Sequence, residues 1–274
     1  MAMPEHLVLL RHGQSEANII QQRFKADPRL SAPDGFFDRH DSDMRLSDRG
    51  RQQAQAAGDW LRRHDLASFD RYYASPHART AETAASLGLN GDWRLDVRWR
   101  ERDWGEFGVL NHVDRLDRFA LSQKLKDQNK WYWCPPGGES LATGVHGRFR
   151  DILSTLHREC DGQRVLAVTH AEMIDVARFV LERLTPQQWL DQDANPAYHV
   201  SNCQILHYTR RDPVRGDLDP RIRWMRSICP WDEAASWQGG AWIAIDRRRY
   251  SDGELWDLVQ RYPLLLADDG VESG

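Results

Sequence analysis

The segment HLVLLRHGQSEAN, His6 to Asn18, constrains the fold more than any other part of the chain. Leu7, Val8, Leu9 and Leu10 form an unbroken apolar run that ends on Arg11, His12 and Gly13. A short run of this kind, bounded by Gly and polar residues, reads as a strand covered on both faces, as in a parallel sheet. Open α/β sheets place their ligands beyond the carboxyl ends of such strands, where Arg11 and His12 stand. The bland alternative is a surface turn that happens to hold an Arg and a His. The rest of the chain decides between them.

Strand-like runs recur at residues 70–74, 93–97, 164–169 and 203–208. Segments with helical spacing lie between them. Ser47 is the N-cap candidate of a helix reaching about Arg63, with Ala54, Ala57, Trp60 and Leu61 on one face. HARTAETAASLG follows the second strand and stops at Gly88. SLATGVHGRFRDILSTLHREC spaces Val145, Phe149, Ile152, Leu153 and Leu156 as a helix does, and EMIDVARFVLERL repeats the pattern after the fourth strand. Alternating strands and helices predict an α/β fold with a mainly parallel sheet and helices on both faces.

Residues 1–210 are expected to form this domain. Within it, residues 21–45, with Pro28, Pro33 and Gly35, read as an inserted loop, and residues 107–138, ending in NKWYWCPPGG, as a lid insertion above the sheet. Residues 211–274 are rich in Trp and Arg and are expected to form a C-terminal extension packed on the same domain. The order of strands is not readable from the residues.

Composition narrows the function. The 274 residues hold 37 basic and 41 acidic side chains, well mixed, for a formal net charge of −4. That balance gives no ground for nucleic acid or an anionic membrane as the main partner. No apolar run approaches the ~18 residues of a membrane span. The opening MAMPEH has no basic segment followed by an apolar one, so a soluble cytoplasmic protein is expected. Cys134, Cys160, Cys203 and Cys229 are far apart with no C-x-x-C pair, which points to buried free thiols rather than zinc or disulfides. Most of the 12 Trp read as packing.

Polar residues gather after the strand ends: Arg11 and His12 after the first, Arg79 in YASPHART after the second, Glu101 in RWRERDWGEFG after the third, and His170 in AVTHAEM after the fourth. In a parallel sheet these converge on one rim. Two Arg beside two His would repel unless an anion sat among them. Guanidinium forks suit phosphoryl oxygens, a neutral imidazole can attack phosphorus, and a carboxylic acid can protonate the leaving oxygen. Asp103 and Glu106 stand close enough to Glu101 to compete for that last role. Ser15 and Asn18 read either as caps of the following helix or as donors to a phosphoryl oxygen. His112, His146, His157 and His207 receive no role.

The chain resembles the histidine phosphatase superfamily, the phosphoglycerate mutase-like proteins. The resemblance rests on RHGQSEAN (Arg11 to Asn18), LSDRGRQQA (Leu46 to Ala54), SPHARTAETA (Ser75 to Ala84), RERDWGEF (Arg100 to Phe107), PGGES (Pro136 to Ser140) and VTHAEM (Val168 to Met173). It implies a sheet with helices on both faces and no metal or organic cofactor. It makes His12 the residue that is phosphorylated, sets Arg11, Arg79 and His170 around the phosphoryl group, and favours Glu101 as proton donor.

Two departures bear on substrate. Ala171 follows the second His where the family often has Gly, and should still offer a backbone N–H to an oxyanion. Glu172 adds a negative charge, which disfavours a very highly charged substrate. The leading expectation is a cofactor-independent phosphatase acting on a small phosphorylated substrate. Mutases of the family carry a longer Arg-rich insertion than residues 102–136 supply, so phosphoglycerate mutase-type transfer is the runner-up. A phosphate-binding module without catalysis is the third reading. A homodimer is compatible with the sequence. Trp131 and Trp133 read either as core packing or, in the insertion over the site, as contacts to the non-phosphate part of the substrate.

Overall fold

The computed structural model describes residues 2–27 and 29–266. Along the chain come β1 (His6–Arg11), α1 (Glu16–Ala26), α2 (Asp48–Arg63), β2 (Arg71–Ala74), α3 (Ala78–Ser86), β3 (Trp93–Leu95), α4 (His112–Arg118) and α5 (Ala120–Gln128). They are followed by α6 (His146–Glu159), β4 (Arg164–Thr169), α7 (Ala171–Glu182), α8 (Pro186–Asp193), β5 (Ile205–Thr209), β6 (Trp224–Ile228), β7 (Ile243–Ala244) and α9 (Asp252–Gln260). One sheet holds the seven strands in the order β3-β2-β4-β1-β5-β6-β7. β3, β2, β4 and β1 are parallel, while β5, β6 and β7 each run antiparallel to the preceding neighbour.

β1 is the middle strand, and the alternation of its side chains explains its sequence. Leu7 and Leu9 point into a core with Phe149 and Ile152 of α6 and Ile174 and Val176 of α7. Val8 and Leu10 point the other way, onto Ala54, Ala57 and Leu61 of α2 and Ala84 of α3. All four strand side chains are fully buried. Each contributes about 1.5–3 kcal/mol of apolar burial. The helices therefore cover both faces, as the run itself requires.

Local signals act as expected in α2, whose N-cap Ser47 accepts from the Gly50 amide. After α3, Leu87 ends the helix and Gly88 takes φ +63°. Elsewhere the structure corrects the reading. Residues 21–26 are not loop but the second half of α1, which buries only Ile20 and therefore shows no clear apolar stripe. Its start is held by a capping box between Ser15 and Asn18. Pro28 lies outside the described residues. Between residues 29 and 45 there is one short 3₁₀ turn, Asp41–Asp43.

The sheet continues past residue 210, since β6 and β7 come from the segment expected only to pack on the domain. β6 is disguised by Arg226, whose guanidinium lies 5.0 Å from the Trp60 ring and 4.5 Å from the Trp242 ring and so sits among aromatics. Residues 267–274 of that extension lie outside the described residues. Residues 107–138 include α4 and α5. Cys160, Cys203 and Cys229 are buried, but Cys134 is exposed. Among the described residues no helix is long and apolar enough to cross a membrane.

The loop after β1 is held against α2 by an approach that leaves no room for side chains. A Cβ on Gly50 would lie 2.1 Å from the Gln14 carbonyl oxygen, and one on Gly13 would lie 2.4 Å from the Gly50 carbonyl oxygen. The contact lets Ser47 donate its amide to Gln14 at 2.9 Å and Gln14 donate to the Gln53 side chain at 2.9 Å. Gly50→Ala should therefore lower stability in urea unfolding by about 1–3 kcal/mol. Gly147→Ala, in α6 with open space around it, should be neutral or stabilising. Equal midpoints for the two variants would refute the close-approach account.

Candidate active site

The parallel register of β1 and β4 pairs Arg11 with Thr169, so the next residues, His12 and His170, emerge together. His12 donates its amide to the Thr169 carbonyl at 2.9 Å. Its Nδ1 lies 2.7 Å from the Gly13 carbonyl oxygen. A carbonyl only accepts, so Nδ1 carries the proton and Nε2 keeps a free lone pair. The His12 and His170 rings stand edge to face with centroids 5.1 Å apart. His170 caps α7, is fully buried, and places Nε2 2.9 Å from the Ser75 hydroxyl at the end of β2. A third imidazole, His77, lies 4.7 Å from the His170 ring centroid.

Two guanidiniums enter the same space. Arg79, in the first turn of α3, is buried and binds Asp41 twice: Nη1 donates to its carbonyl at 2.5 Å and Nη2 to its carboxylate at 2.8 Å. Arg11 donates to the Val200 carbonyl at 2.5 Å. Burial, and then the fields of Arg79 and Arg11, push His12 well below the usual imidazole range. Burial and Arg79 do the same for His170. Burial first, and then Arg79, lower His77 to about 4, against the pull of Asp41. The imidazoles are thus neutral inside a positive field.

Glu101 goes the other way. Burial first, and the neighbouring Glu172 carboxylate second, raise it to about 8, opposed by the Arg102 amide that it accepts at 3.0 Å and by Arg79. Asp103 and Glu106 are exposed, and Asp103 accepts from the Gly105 amide. Of the three acids, Glu101 is the one that lies in the field of Arg79 and Arg11. Glu172 is not loose in the pocket, because the buried Arg102 guanidinium lies 3.4 Å from it.

The structure brings together His12, His170, Arg11, Arg79 and Glu101, and Ala171 joins them as the first residue of α7. Helix N-termini favour anions. Ser15 and Asn18 are engaged in the capping box, where the Ser15 oxygen accepts from the Asn18 amide at 3.3 Å and Asn18 Oδ1 from the Ser15 amide at 3.2 Å. Trp131 and Trp133 do not reach the site. Trp131 is 3% exposed and stacks on Phe179 at 4.0 Å, while Trp133 is 4% exposed and packs on Trp104 and Phe107. Their apolar area is spent in the core, which corrects the substrate-contact reading.

Other residues take part that the sequence reading passed over. Asp41 and His77 line a cleft of about 230 Å³ that opens beside Glu101. Its wall holds Phe24, Phe37 and Trp104. Ser75 holds His170, and the Thr83 hydroxyl accepts the Gly13 amide at 3.0 Å. His77 sits two residues before Arg79 in SPHART, and that adjacency was the available signal. Asp41 had none, being far away in a stretch without periodicity. Among the described residues no group of three or more His, Cys, Asp or Glu side chains is placed to hold a metal ion.

Residues 7–213 match the family model described as the histidine phosphatase superfamily, branch 1. A 2,3-bisphosphoglycerate-dependent phosphoglycerate mutase of Azorhizobium caulinodans is 32% identical over 194 residues, covering 68% of this chain and 85% of the relative. The enzyme of the same name from Methylobacterium radiotolerans is 33% identical over 192 residues, covering 68% and 83%. A solved mycobacterial glucosyl-3-phosphoglycerate phosphatase in complex with inorganic phosphate superposes with a TM-score of 0.55 at 26% identity, covering 74% of this chain and 89% of that one. The alpha-ribazole phosphatase of Shigella flexneri shares the fold, with a TM-score of 0.59 at 19% identity over 79% of this chain and 95% of that one. With the paired histidines at the ends of β1 and β4 inside the matched span, the chain belongs to the histidine phosphatase superfamily.

Proposed function

We propose that the chain hydrolyses a phosphate monoester through a phosphohistidine on His12, using no metal and no organic cofactor. The observation that carries this reading is a set of buried polar atoms with no hydrogen-bond partner. Arg11 Nε, His77 Nδ1 and His170 Nδ1 are all buried without a hydrogen-bond partner among the described residues, with the Asp41 carboxylate 3.7 Å from His77 Nδ1. Such atoms are costly and call for an explanation, and an anion seated among them supplies one. The Ser75 hydroxyl donating to His170 Nε2 would leave Nδ1–H facing that anion.

In this reading Arg11, Arg79, His170 and the Ala171 amide hold the phosphoryl oxygens. The His12 Nε2 lone pair forms a bond to phosphorus as the bond from phosphorus to the ester oxygen breaks. Glu101, protonated at neutral pH, gives its proton to the leaving oxygen. Its carboxylate then takes a proton from water, whose oxygen attacks the phosphohistidine and releases phosphate and neutral His12. Asp41 occupies the Arg79 fork through two hydrogen bonds and must give way when the phosphoryl group arrives. Its carboxylate is half exposed, whereas the Arg79 side chain is 4% exposed, so the phosphoryl group takes over as the partner of a buried guanidinium.

Mutase-type transfer is the second reading, favoured by the 32% identity to the Azorhizobium enzyme. A mutase must hold a doubly phosphorylated intermediate, which asks for free cations around the cleft. Here Arg39 pairs with Glu16 at 3.0 Å, Arg100 with Glu139 at 2.5 Å and Arg102 with Glu172 at 3.4 Å. Arg115 is the one Arg of the lining without a carboxylate partner among the described residues, and much of the remaining wall is apolar, which supports hydrolysis.

Rapid quench with a good substrate should trap an acid-labile phosphohistidine that is absent in His12→Ala. Full activity in that variant would sink the mechanism. Glu101 is protonated below about 8 and loses its proton above it, while His12 is already neutral. kcat/KM should therefore fall on the alkaline side near 8, and Glu101→Gln should lack that limb. Single-turnover rates of Glu101→Gln should drop ~10²- to 10⁴-fold on alkyl phosphates and far less on p-nitrophenyl phosphate. Equal losses would move the acid elsewhere. Asp41→Ala, which removes the competing carboxylate, should tighten vanadate inhibition by up to about tenfold. Unchanged or weaker inhibition would mean that Asp41 does not compete for Arg79.

A further inference from the structure

The cleft beside Glu101 has a composition that the reaction itself does not require. Phe24, Phe36, Phe37 and Trp104 line it and are all partly exposed, and while other aromatic residues such as Trp60, Trp93 and Trp242 are partly exposed too, these four share one cleft. Rings left open in one concave place mark a ligand surface. They form two groups. Phe24 lies parallel to Phe37 at 6.4 Å, with Phe36 edge-on to Phe37 at 5.2 Å. Trp104 belongs to the other group, 6.0 Å from Trp133. No ring contact among the described residues joins the two groups, and both line the same cleft.

Ile20, Met44 and Leu110 complete an apolar lining. Of the four Arg in the lining, Arg39, Arg100 and Arg102 are each paired with a carboxylate, which leaves Arg115 as the one without such a partner among the described residues. At about 230 Å³ the space is below that of a drug-sized ligand site and suits a body of one or two rings. The chemistry lies at one end of it, since Glu101, Asp41 and His77 share the same lining.

We infer that the cleft takes the alcohol half of the substrate, and that this alcohol is apolar and ring-bearing, its ring lodged between the Phe24, Phe36 and Phe37 group and Trp104. The inference rests on the hydrolytic reading above. The loop that brings Phe36 and Phe37 also brings Asp41, so the wall that accepts the ring and the carboxylate that guards Arg79 belong to one segment. A ring entering the cleft and a phosphoryl group displacing Asp41 act on the same stretch of chain.

The test compares 2-phenylethyl phosphate with ethyl phosphate. Both release a primary alkoxide, so Glu101 helps them equally and the ratio of their kcat/KM values reports the cleft. The ratio should be at least about 30 in the unmodified protein, as expected for burying one aromatic ring. It should fall about tenfold in Phe37→Ala and less in Phe37→Leu, which keeps apolar volume without the ring. Thermal unfolding of both variants separates loss of fold from loss of the ring site. A ratio near 1, with phosphate still released and His12 still phosphorylated, overturns the inference and leaves the hydrolytic reading standing. A preference for 3-phosphoglycerate that is lost in Arg115→Leu also overturns it. Arg115 lines the cleft with no carboxylate partner among the described residues, and would then be the element that selects substrate. Absence of both turnover and phosphohistidine removes the hydrolytic reading and this inference together.

Discussion

The hydrogen bond from the His12 amide to the Thr169 carbonyl, 2.9 Å long, joins the ends of the two central parallel strands. With Arg11 opposite Thr169, the next residue of each chain segment is a histidine, and both leave the sheet at the same level. The ring separation of 5.1 Å follows from that register. A slip of one residue would turn the alternation of β1 over, sending Leu7 and Leu9 to the face now filled by Val8 and Leu10. Both cores hold the strand in place, so burial on the two faces sets the position of groups that are polar and lie outside either core.

Much of this was legible in the residues, and the reason is periodicity. An unbroken apolar run can only be a doubly covered strand or a buried helix, and four residues ended by Arg, His and Gly are too few for a helix. The helices after β2 and β4 announced themselves by stripe and by stop. What stayed hidden has physical causes. α1 buries a single residue, so its second half looks like a loop, and β6 carries an Arg held among indole rings where the pattern leads one to expect an aliphatic side chain. Trp131 and Trp133 stand in a segment whose surroundings do not distinguish a wall from a core, and only packing against Phe179, Trp189 and Phe107 decides it.

The site divides along the same line. Arg11, His12, Arg79 and His170 could be named because each follows a strand end, whereas Glu101 was preferred over Asp103 and Glu106 only through the family resemblance. The protonation states could not, since they depend on how much water is excluded and which charges face each other. Burial neutralises the imidazoles and also favours a proton on Glu101, so one desolvated space holds an uncharged imidazole and a protonated carboxyl at the same pH. Asp41 shows the limit most plainly. It lies far from Arg79 in the chain, yet it covers the guanidinium with both its carbonyl and its carboxylate.

The strands at the two rims of the sheet are the shortest in it, three residues in β3 and two in β7. Unpaired amides and carbonyls along a sheet edge invite strands from other molecules, and a long flat edge is a template for aggregation. Here the sheet tapers from six residues at β1 to three and two at its rims, so among the described residues a neighbouring chain meets only a short row of edge groups on which to add.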